Sequence, residues 1–287
     1  MTAFVPIRVT ENSGISPEQK ELSLLARLSE AGSLLIALSG GADSAYLSWA
    51  AQRALGGRAL SITAISPSFS EHDRGVVDQF VRAFQIRHEF VVTHEMENPA
   101  YRANAADRCF YCKDELFSVL DAIAQERGFA ATAYGVNADD MLDFRPGHRA
   151  ATEHRVLAPL LDAGLRKSEI RLLSQRAGLP TWDRPASACL ASRVPYGTEV
   201  TPERLTMIER GEAALRELGF HQFRVRLHDK LARVEIAPEE MERVLSKETC
   251  AAISQALTRA GFTYVALDLE GYRQGSLNES LPQPKRS

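Results

Sequence analysis

The chain has 287 residues, and 34 Lys and Arg against 37 Asp and Glu leave a net charge of −3. Apolar residues at 45% and charged residues at 25% match a globular average, which excludes a disordered or collagen-like chain. The mild acidity and the lack of a basic run argue against an electrostatic nucleic-acid clamp.

No stretch approaches the roughly 20 apolar residues of a membrane span. Met1 to Asn12 carries no signal-peptide pattern. Four cysteines in this length do not make a disulfide scaffold, so the expected location is a reducing cytoplasm.

In chain order, Leu22, Leu25 and Leu28 predict an amphipathic helix from Pro17 to Gly32. The continuous apolar run Ser33 to Leu38 predicts a strand buried on both faces. Ser39-Gly-Gly-Ala-Asp-Ser44 follows, then a helical pattern closed by Gly56-Gly57. A strand (Leu60 to Ile65), a helix (Gly75 to Phe84), a strand (Glu89 to Val92), a helix (Phe110 to Gly128) and a strand (Ala131 to Val136) come next. This alternation predicts an α/β fold, a doubly wound parallel sheet with its site at the carboxyl ends of the strands.

Asn137 to Gly164 reads as a long loop, Arg166 to Gly178 as a helix, and Leu179 to Gly197 as irregular. Beyond Thr201 come a helix (Pro202 to Leu218), two strands (Phe223 to Leu227, Ala232 to Ile236), helical chain (Pro238 to Ala260) and a strand (Tyr264 to Leu269). That order predicts a smaller C-terminal α+β domain. The expected division is 1–194, 195–279 for substrate or oligomer contacts, and a loose polar tail at 280–287.

Two glycines in Ser39–Ser44 let backbone approach an anion, and N–H groups at a helix start can cradle phosphate oxygens. Neither the Walker ending nor the three-glycine dinucleotide spacing is present. A capped turn is the plain alternative. The string resembles the pyrophosphate loop of the PP-loop (N-type) ATP pyrophosphatases, which split ATP between the α- and β-phosphates and adenylate a carbonyl or carboxylate. The resemblance implies that Ser39, Gly40, Gly41, Asp43 and Ser44 hold the departing pyrophosphate, with Mg²⁺.

Cys109 and Cys112 start a predicted helix at i, i+3 spacing, which puts both sulfurs on one face. Flanking Arg108 and Lys113 favour thiolate. Cys189 falls in the proline-rich loop, and Cys250 reads as a small core residue. A redox pair leaves Cys189 unexplained, and a structural zinc needs a fourth ligand that no adjacent histidine supplies. Three thiolates can hold a 4Fe–4S cluster with one iron free of protein ligands. Alternatively Cys189 alone is reactive and the pair is structural.

Several strings together resemble the LarE-type ATP-dependent sulfur transferases of nickel-pincer nucleotide (lactate racemase) cofactor biosynthesis. They are the phosphate loop, Arg108-Cys-Phe-Tyr-Cys-Lys113, Asn137-Ala-Asp-Asp140, Asp143-Phe-Arg-Pro-Gly147, Leu179-Pro-Thr-Trp-Asp183, Ala188 to Gly197, and Leu267 to Ser276. The resemblance covers about Ser33 to Glu279. It implies adenylation of a carboxylate on a pyridinium dicarboxylate mononucleotide, displacement of AMP by sulfur, and a thiocarboxylate product. One branch of that family sacrifices the cysteine matching Cys189. A three-cysteine branch uses sulfide on a cluster, and Cys109 and Cys112 beside Cys189 favour that branch here. A possible sulfide donor and a trimer-based homo-oligomer are further implications, with no nucleic acid or membrane partner.

Arg224 and Arg226 share one strand face and suit a nucleotide phosphate, or pair with Glu235 as a solvated face. The resemblance adds Ser192 and Arg193 to a substrate-phosphate site, with Glu212 and Glu235 as metal ligands or salt-bridge partners. Asp139 and Asp140 follow a strand end, where an ATP or Mg²⁺ ligand or a helix cap is expected. Trp182 packs a junction or stacks on a ring. The seven histidines show no ligand spacing. The rival readings are a PP-loop tRNA-thiolating enzyme, which should carry a basic RNA face, an amide-forming PP-loop synthetase, and a non-catalytic metal-binding module.

Overall fold

The computed structural model describes residues 14–142, 147–185 and 188–273. The expected strings at 143–146 and 274–276, the tail at 280–287 and the N-terminal segment lie outside the described residues.

The first helix, α1 (Pro17–Glu30), begins with a capping box in which Ser16 and Gln19 satisfy each other's backbone N–H. Its buried stripe is Leu24 and Leu28, while Leu22 is 67% exposed. The sequence reading placed Leu22 on that stripe, but i, i+4 spacing from Leu24 sets the inward face.

Then β1 (Leu34–Ala37), α2 (Ala42–Leu55), β2 (Ala59–Ile65), α3 (Glu71–Ala83) and β3 (His88–Val92) alternate. After the short α4 (Pro99–Arg102) come α5 (Arg108–Arg127) and β4 (Ala131–Tyr134). The sheet is parallel throughout with order β3-β2-β1-β4. Leu34, Ile36 and Leu38 pack with α1, α2 and α3, whereas Leu35 and Ala37 pack with Phe117 and Leu120 of α5. Helices therefore cover both faces, and the doubly wound expectation holds. Successive crossovers build outward from β1 to β3, and the chain then returns to place β4 on β1's other side. The crevice between β1 and β4 is the topological switch point.

The stretch expected to be a long loop instead holds a 3-10 turn (Ala138–Leu142), α6 (Gly147–Glu153) and α7 (Pro159–Asp162). Burial of Ala150 and Ala151 against α5's cluster stabilises α6, and Pro159 starts α7 at its first turn. The sheet is lengthened by a parallel bridge from Ala133 to Leu157. Next, α8 (Lys167–Arg176) packs Ile170 and Leu173 into the α1–α2 face.

The second unit comprises α9 (Pro202–Glu217), β5 (Phe223–His228), β6 (Leu231–Ile236), α10 (Met241–Val244), α11 (Lys247–Ala260) and β7 (Tyr264–Leu267). Its sheet runs β5-β6-β7, antiparallel then parallel. Its core also takes in Tyr101 of α4 and Leu190, Ala191 and Val194 of the preceding loop. Asn104 ties that crossing down, its amide donating to the carbonyls of Val194, Pro195 and Thr198 at 3.2, 2.8 and 3.0 Å. Cys250, expected in the core, is exposed on α11, and its Sγ donates to the Val244 carbonyl at 3.1 Å.

Candidate functional site

The apolar run of β1 ends where the chain must turn into α2, and Gly40 makes that turn with φ of 79°. A Cβ there would come within 2.8 Å of Val77 Cγ2, so the position excludes a side chain on two counts. Gly41 is the N-cap and supplies no side-chain cap. The first amides of α2 are therefore open to an outside acceptor. Ser44 Oγ lies 3.1 Å from Ser39 Oγ, takes the Ser39 N–H at 3.2 Å and donates to the Gly41 carbonyl at 3.1 Å. The loop is thus braced in an open form.

From the other side of the switch point, Gly135 comes so close that a Cβ would sit 2.8 Å from Ser44 N and 2.9 Å from its Cα. Close approach of two backbones is what keeps the loop after β4 beside the phosphate loop. Asn137 then spans the crevice, its amide donating to Asp43 Oδ2 at 3.1 Å while its Oδ1 accepts from the N–H groups of Asp139 and Asp140 at 2.9 and 3.2 Å.

Burial, and next the negative field of Asp140, push the Asp43 carboxyl up from 3.8 to about 6, against the Asn137 amide, Lys167 and Arg171. Asp140 is ion-paired to Lys167 at 2.9 Å. Asp139 accepts the backbone N–H of Lys167 at 2.8 Å and so caps α8. Of the two acids expected at this strand end, Asp140 faces Asp43 and Asp139 holds a helix start.

Arg184 closes the loop after β1 from outside. Its Nη1 donates to the Gly40 carbonyl at 2.6 Å, and its Nη2 pairs with Asp73 of α3. Arg171 holds the same segment through the carbonyls of Trp182 (3.1 Å) and Arg184 (2.8 Å). Lys167, Arg171 and Arg184 ring the loop with positive charge, and none was singled out from sequence.

Cys189 lies at the carboxyl end of the same sheet. The N–H of Leu190, the next residue, donates to the Ser68 carbonyl in the loop after β2 at 2.9 Å, and β2 is β1's neighbour. Arg108 reaches across from α5 to the Ala191 carbonyl at 2.7 Å. Cys112 and Cys189 pack against one apolar cluster with Tyr101 and Tyr111. Cys109 is exposed at the start of α5.

Burial, then the neighbouring Cys189 and Glu95, push the Cys112 thiol far above its ordinary range, and Lys113 only partly opposes them. The expectation of a thiolate there is therefore corrected: desolvation outweighs the flanking cations. Burial opposes the charge on Arg108, yet Cys189 and Cys109 outweigh it and hold the guanidinium protonated. The three cysteines thus share one neighbourhood. Among the described residues no three His, Cys, Asp or Glu side chains converge tightly enough to hold a single metal ion.

Arg193 is buried and bidentate to Glu212, at 2.8 Å from Nε and 3.0 Å from Nη2. Its Nη1 donates to the carbonyls of Ala188 (2.5 Å) and Cys189 (3.1 Å) and to Ser192 Oγ (3.0 Å). Glu212 loses free energy by burial, but Arg193 more than offsets that and keeps it ionised. Arg226 bonds the Ser192 carbonyl and Glu235, both at 2.9 Å. Arg224 lies over the Tyr272 ring at 5.1 Å, and burial with Arg193 and Arg226 nearby pushes its pKa down. Three guanidiniums therefore gather beside the Cys189 turn, with Arg193 engaged in holding that turn.

His154 is the histidine that sequence undervalued. Its Nδ1 lies 2.6 Å from Asp121 and its Nε2 3.1 Å from Asp114. Local spacing could not reveal a partnership between α5 and α6.

The fold and this crevice define a doubly wound α/β protein whose uncapped helix start lies at the switch point of its sheet. No protein-family model matches the chain. It is 31% identical over 269 residues to the pyridinium-3,5-bisthiocarboxylic acid mononucleotide synthase of Lactiplantibacillus plantarum, covering 91% of this chain and 95% of that enzyme. The chain belongs to that enzyme's LarE-like family. An uncharacterized protein of Synechocystis is 42% identical over 264 residues, 92% of this chain and 98% of its own. An uncharacterized protein of Methanocaldococcus jannaschii is 29% identical over 170 residues, 59% of this chain and 66% of its own.

Proposed function

We propose that the protein is an ATP-dependent, AMP-forming sulfur transferase that converts a carboxylate of a pyridinium dicarboxylate mononucleotide into a thiocarboxylate. The observation that carries the reading is the tie between Leu190 and Ser68, because the loop bearing Cys189 then shares one sheet edge with the open amides of α2. A carboxylate is a poor electrophile, so activation and sulfur delivery must occur side by side.

In this reading the α2 amides, Ser39 and Ser44 take the β- and γ-phosphates, and Lys167, Arg171 and Arg184 offset their charge. Asp43 and Asp140, whose carboxylates repel each other, suit a shared Mg²⁺. A substrate carboxylate oxygen attacks the α-phosphorus, pyrophosphate leaves, and an acyl adenylate forms. Arg224 and Arg226 receive the substrate's phosphate, while Arg193 positions the turn. A sulfur nucleophile then bonds to the acyl carbon and AMP departs. If Cys189 supplies that sulfur, β-elimination follows: solvent takes its Cα proton, the Cβ–S bond breaks with its electron pair going to the departing thiocarboxylate, and dehydroalanine remains.

Cys109, Cys112 and Cys189 would hold a 4Fe–4S cluster. Three thiolates leave one iron of such a cluster without a protein ligand, whereas a structural zinc needs a fourth donor that no adjacent histidine supplies. When bound, such a cluster supplies an iron able to carry exchangeable sulfide.

The test follows AMP, pyrophosphate and thiocarboxylate from the pyridinium dicarboxylate mononucleotide and ATP. Cys189→Ala should keep pyrophosphate release and lose thiocarboxylate together with AMP departure, whereas Asp43→Ala should lose pyrophosphate release as well. Thiocarboxylate from Cys189→Ala at the wild-type rate would overturn the assignment. Mass spectrometry of the polypeptide after turnover separates the routes, since loss of hydrogen sulfide from Cys189 marks the sacrificial one.

A further inference from the structure

Glu95 follows β3 in a 3-10 turn and is only 3% exposed, yet no cation is paired with it among the described ion pairs. One oxygen, Oε1, accepts from Ser66 Oγ at 2.5 Å and Ser68 Oγ at 3.2 Å. Those hydroxyls are 2.9 Å apart, and the Ser68 N–H reaches Ser66 Oγ at 3.3 Å. The Phe69 N–H donates to the Ser66 carbonyl at 3.0 Å. A buried carboxylate thus knots the loop after β2 around itself, in the short geometry of hydroxyl-to-carboxylate bonds.

The knot is tied to the Cys189 segment through the backbone. Ser68's carbonyl is the acceptor for Leu190 N–H, one bond beyond Cys189. The other carboxylate oxygen, Oε2, is buried without a partner, and so is the hydroxyl of Tyr101, itself 1% exposed. Tyr101 packs in the cluster that holds Leu190, Cys112 and Cys189. An acid with a bare buried oxygen is costly to keep in place. A remote loop brace would not need one, since serines can be satisfied by backbone carbonyls.

We propose that Glu95 is a positioning residue for sulfur transfer, fixing Cys189 through Ser68 and Leu190. The inference rests on the sulfur-transferase reading for its activity readout only. Anchoring both serine hydroxyls sets the direction of the Ser68 carbonyl, and that carbonyl sets where the chain turns at Cys189. Adenylation, which uses the loop after β1, does not depend on it.

Full-length Glu95→Ala and Glu95→Gln proteins test this, because glutamine keeps an acceptor for the two serines and alanine removes it. Two readouts are taken: single-turnover thiocarboxylate formation beside pyrophosphate release, and the iodoacetamide alkylation rate of Cys189 resolved by peptide mass spectrometry. Expected are a tenfold or larger loss of sulfur transfer in Glu95→Ala with single-turnover pyrophosphate release within twofold of wild type, an altered Cys189 alkylation rate, and recovery of most of the sulfur transfer and alkylation rate in Glu95→Gln. Wild-type sulfur transfer in Glu95→Ala overturns the inference, as does equal impairment of the two variants or a matching loss of pyrophosphate release. Should the wild-type protein not act on the nucleotide at all, the functional reading fails, and the alkylation rates alone still decide the role of Glu95.

Discussion

Replacing Asp43 by asparagine should make the protein more stable and at the same time inactive. Burial and the facing Asp140 raise this carboxyl from 3.8 to about 6. Each pH unit between folded and unfolded values is worth 1.36 kcal/mol, so the gap of about two units corresponds to roughly 3 kcal/mol. The sign is destabilising at neutral pH: between about pH 4 and 6 the folded protein keeps a proton that the unfolded chain releases, so stability falls as pH rises through that window. Asparagine never ionises and keeps the side-chain shape. Its gain should be about 2–3 kcal/mol at pH 8, allowing for partial solvent screening, and near zero at pH 4. At roughly 2–4 °C per kcal/mol for a chain of this size class, the pH 8 difference in Tm is about 4–12 °C. Calorimetry of the nucleotide-free wild type and Asp43→Asn at pH 4.5 and pH 8 reads it directly, with AMP formation as the activity arm. An equal stability difference at both pH values, or a less stable Asp43→Asn at pH 8, refutes the picture of two carboxylates held against each other across the crevice.

The buried Arg193–Glu212 pair should show the asymmetry of desolvated ions. Arg193→Met alone should cost about 3–5 kcal/mol, and adding Glu212→Leu should return most of it; urea melts of both proteins measure this, and a single-variant loss below about 1 kcal/mol contradicts it. For His154, burial lowers the pKa but bonds from Asp121 and Asp114 outweigh it, so the net direction is up. Its stabilisation is therefore present below pH 6.5 and fades as pH rises through the folded value. His154→Gln should lower Tm at pH 6 and hardly at pH 9, and a pH-independent difference would count against the imidazolium clamp. Gly135→Ala places a methyl against the Ser44 backbone, where the nearest atoms cannot swing aside. A several-fold rise in the ATP KM at modest cost in Tm is expected, and unchanged kinetics would show that the two loops are not in register with the phosphates.

Much of the α/β unit could be read from sequence because its signals are local. Four residues, Leu34 to Ala37, buried on both faces, produce an unbroken apolar run. The glycine pair after it has few other uses between a strand and a helix. The helix α6 was missed because alanines at 150 and 151 carry no period of their own; they become helical by burying against α5. Likewise Leu24 rather than Leu22 faces inward, since three leucines at i, i+3, i+6 drift around a 3.6-residue helix and only packing decides which side is covered.

Charged residues follow a different logic. Arg184 bonds a carbonyl 144 positions away, and Arg193 meets Glu212 19 positions on. Side-chain type announces that a charge needs a partner, but the partner is chosen by the fold. That is why Arg193, expected against a substrate phosphate, is found holding the carbonyls beside Cys189, and why Glu95 passed unnoticed between two strands. It also explains the division within Asn137-Ala-Asp-Asp140. Both acids were legible as strand-end ligands, yet one hydrogen bond from the Lys167 backbone commits Asp139 to a helix start. Asp140 is left to face Asp43 across the crevice, so the electrostatic tension in the site is localised on one pair of carboxylates.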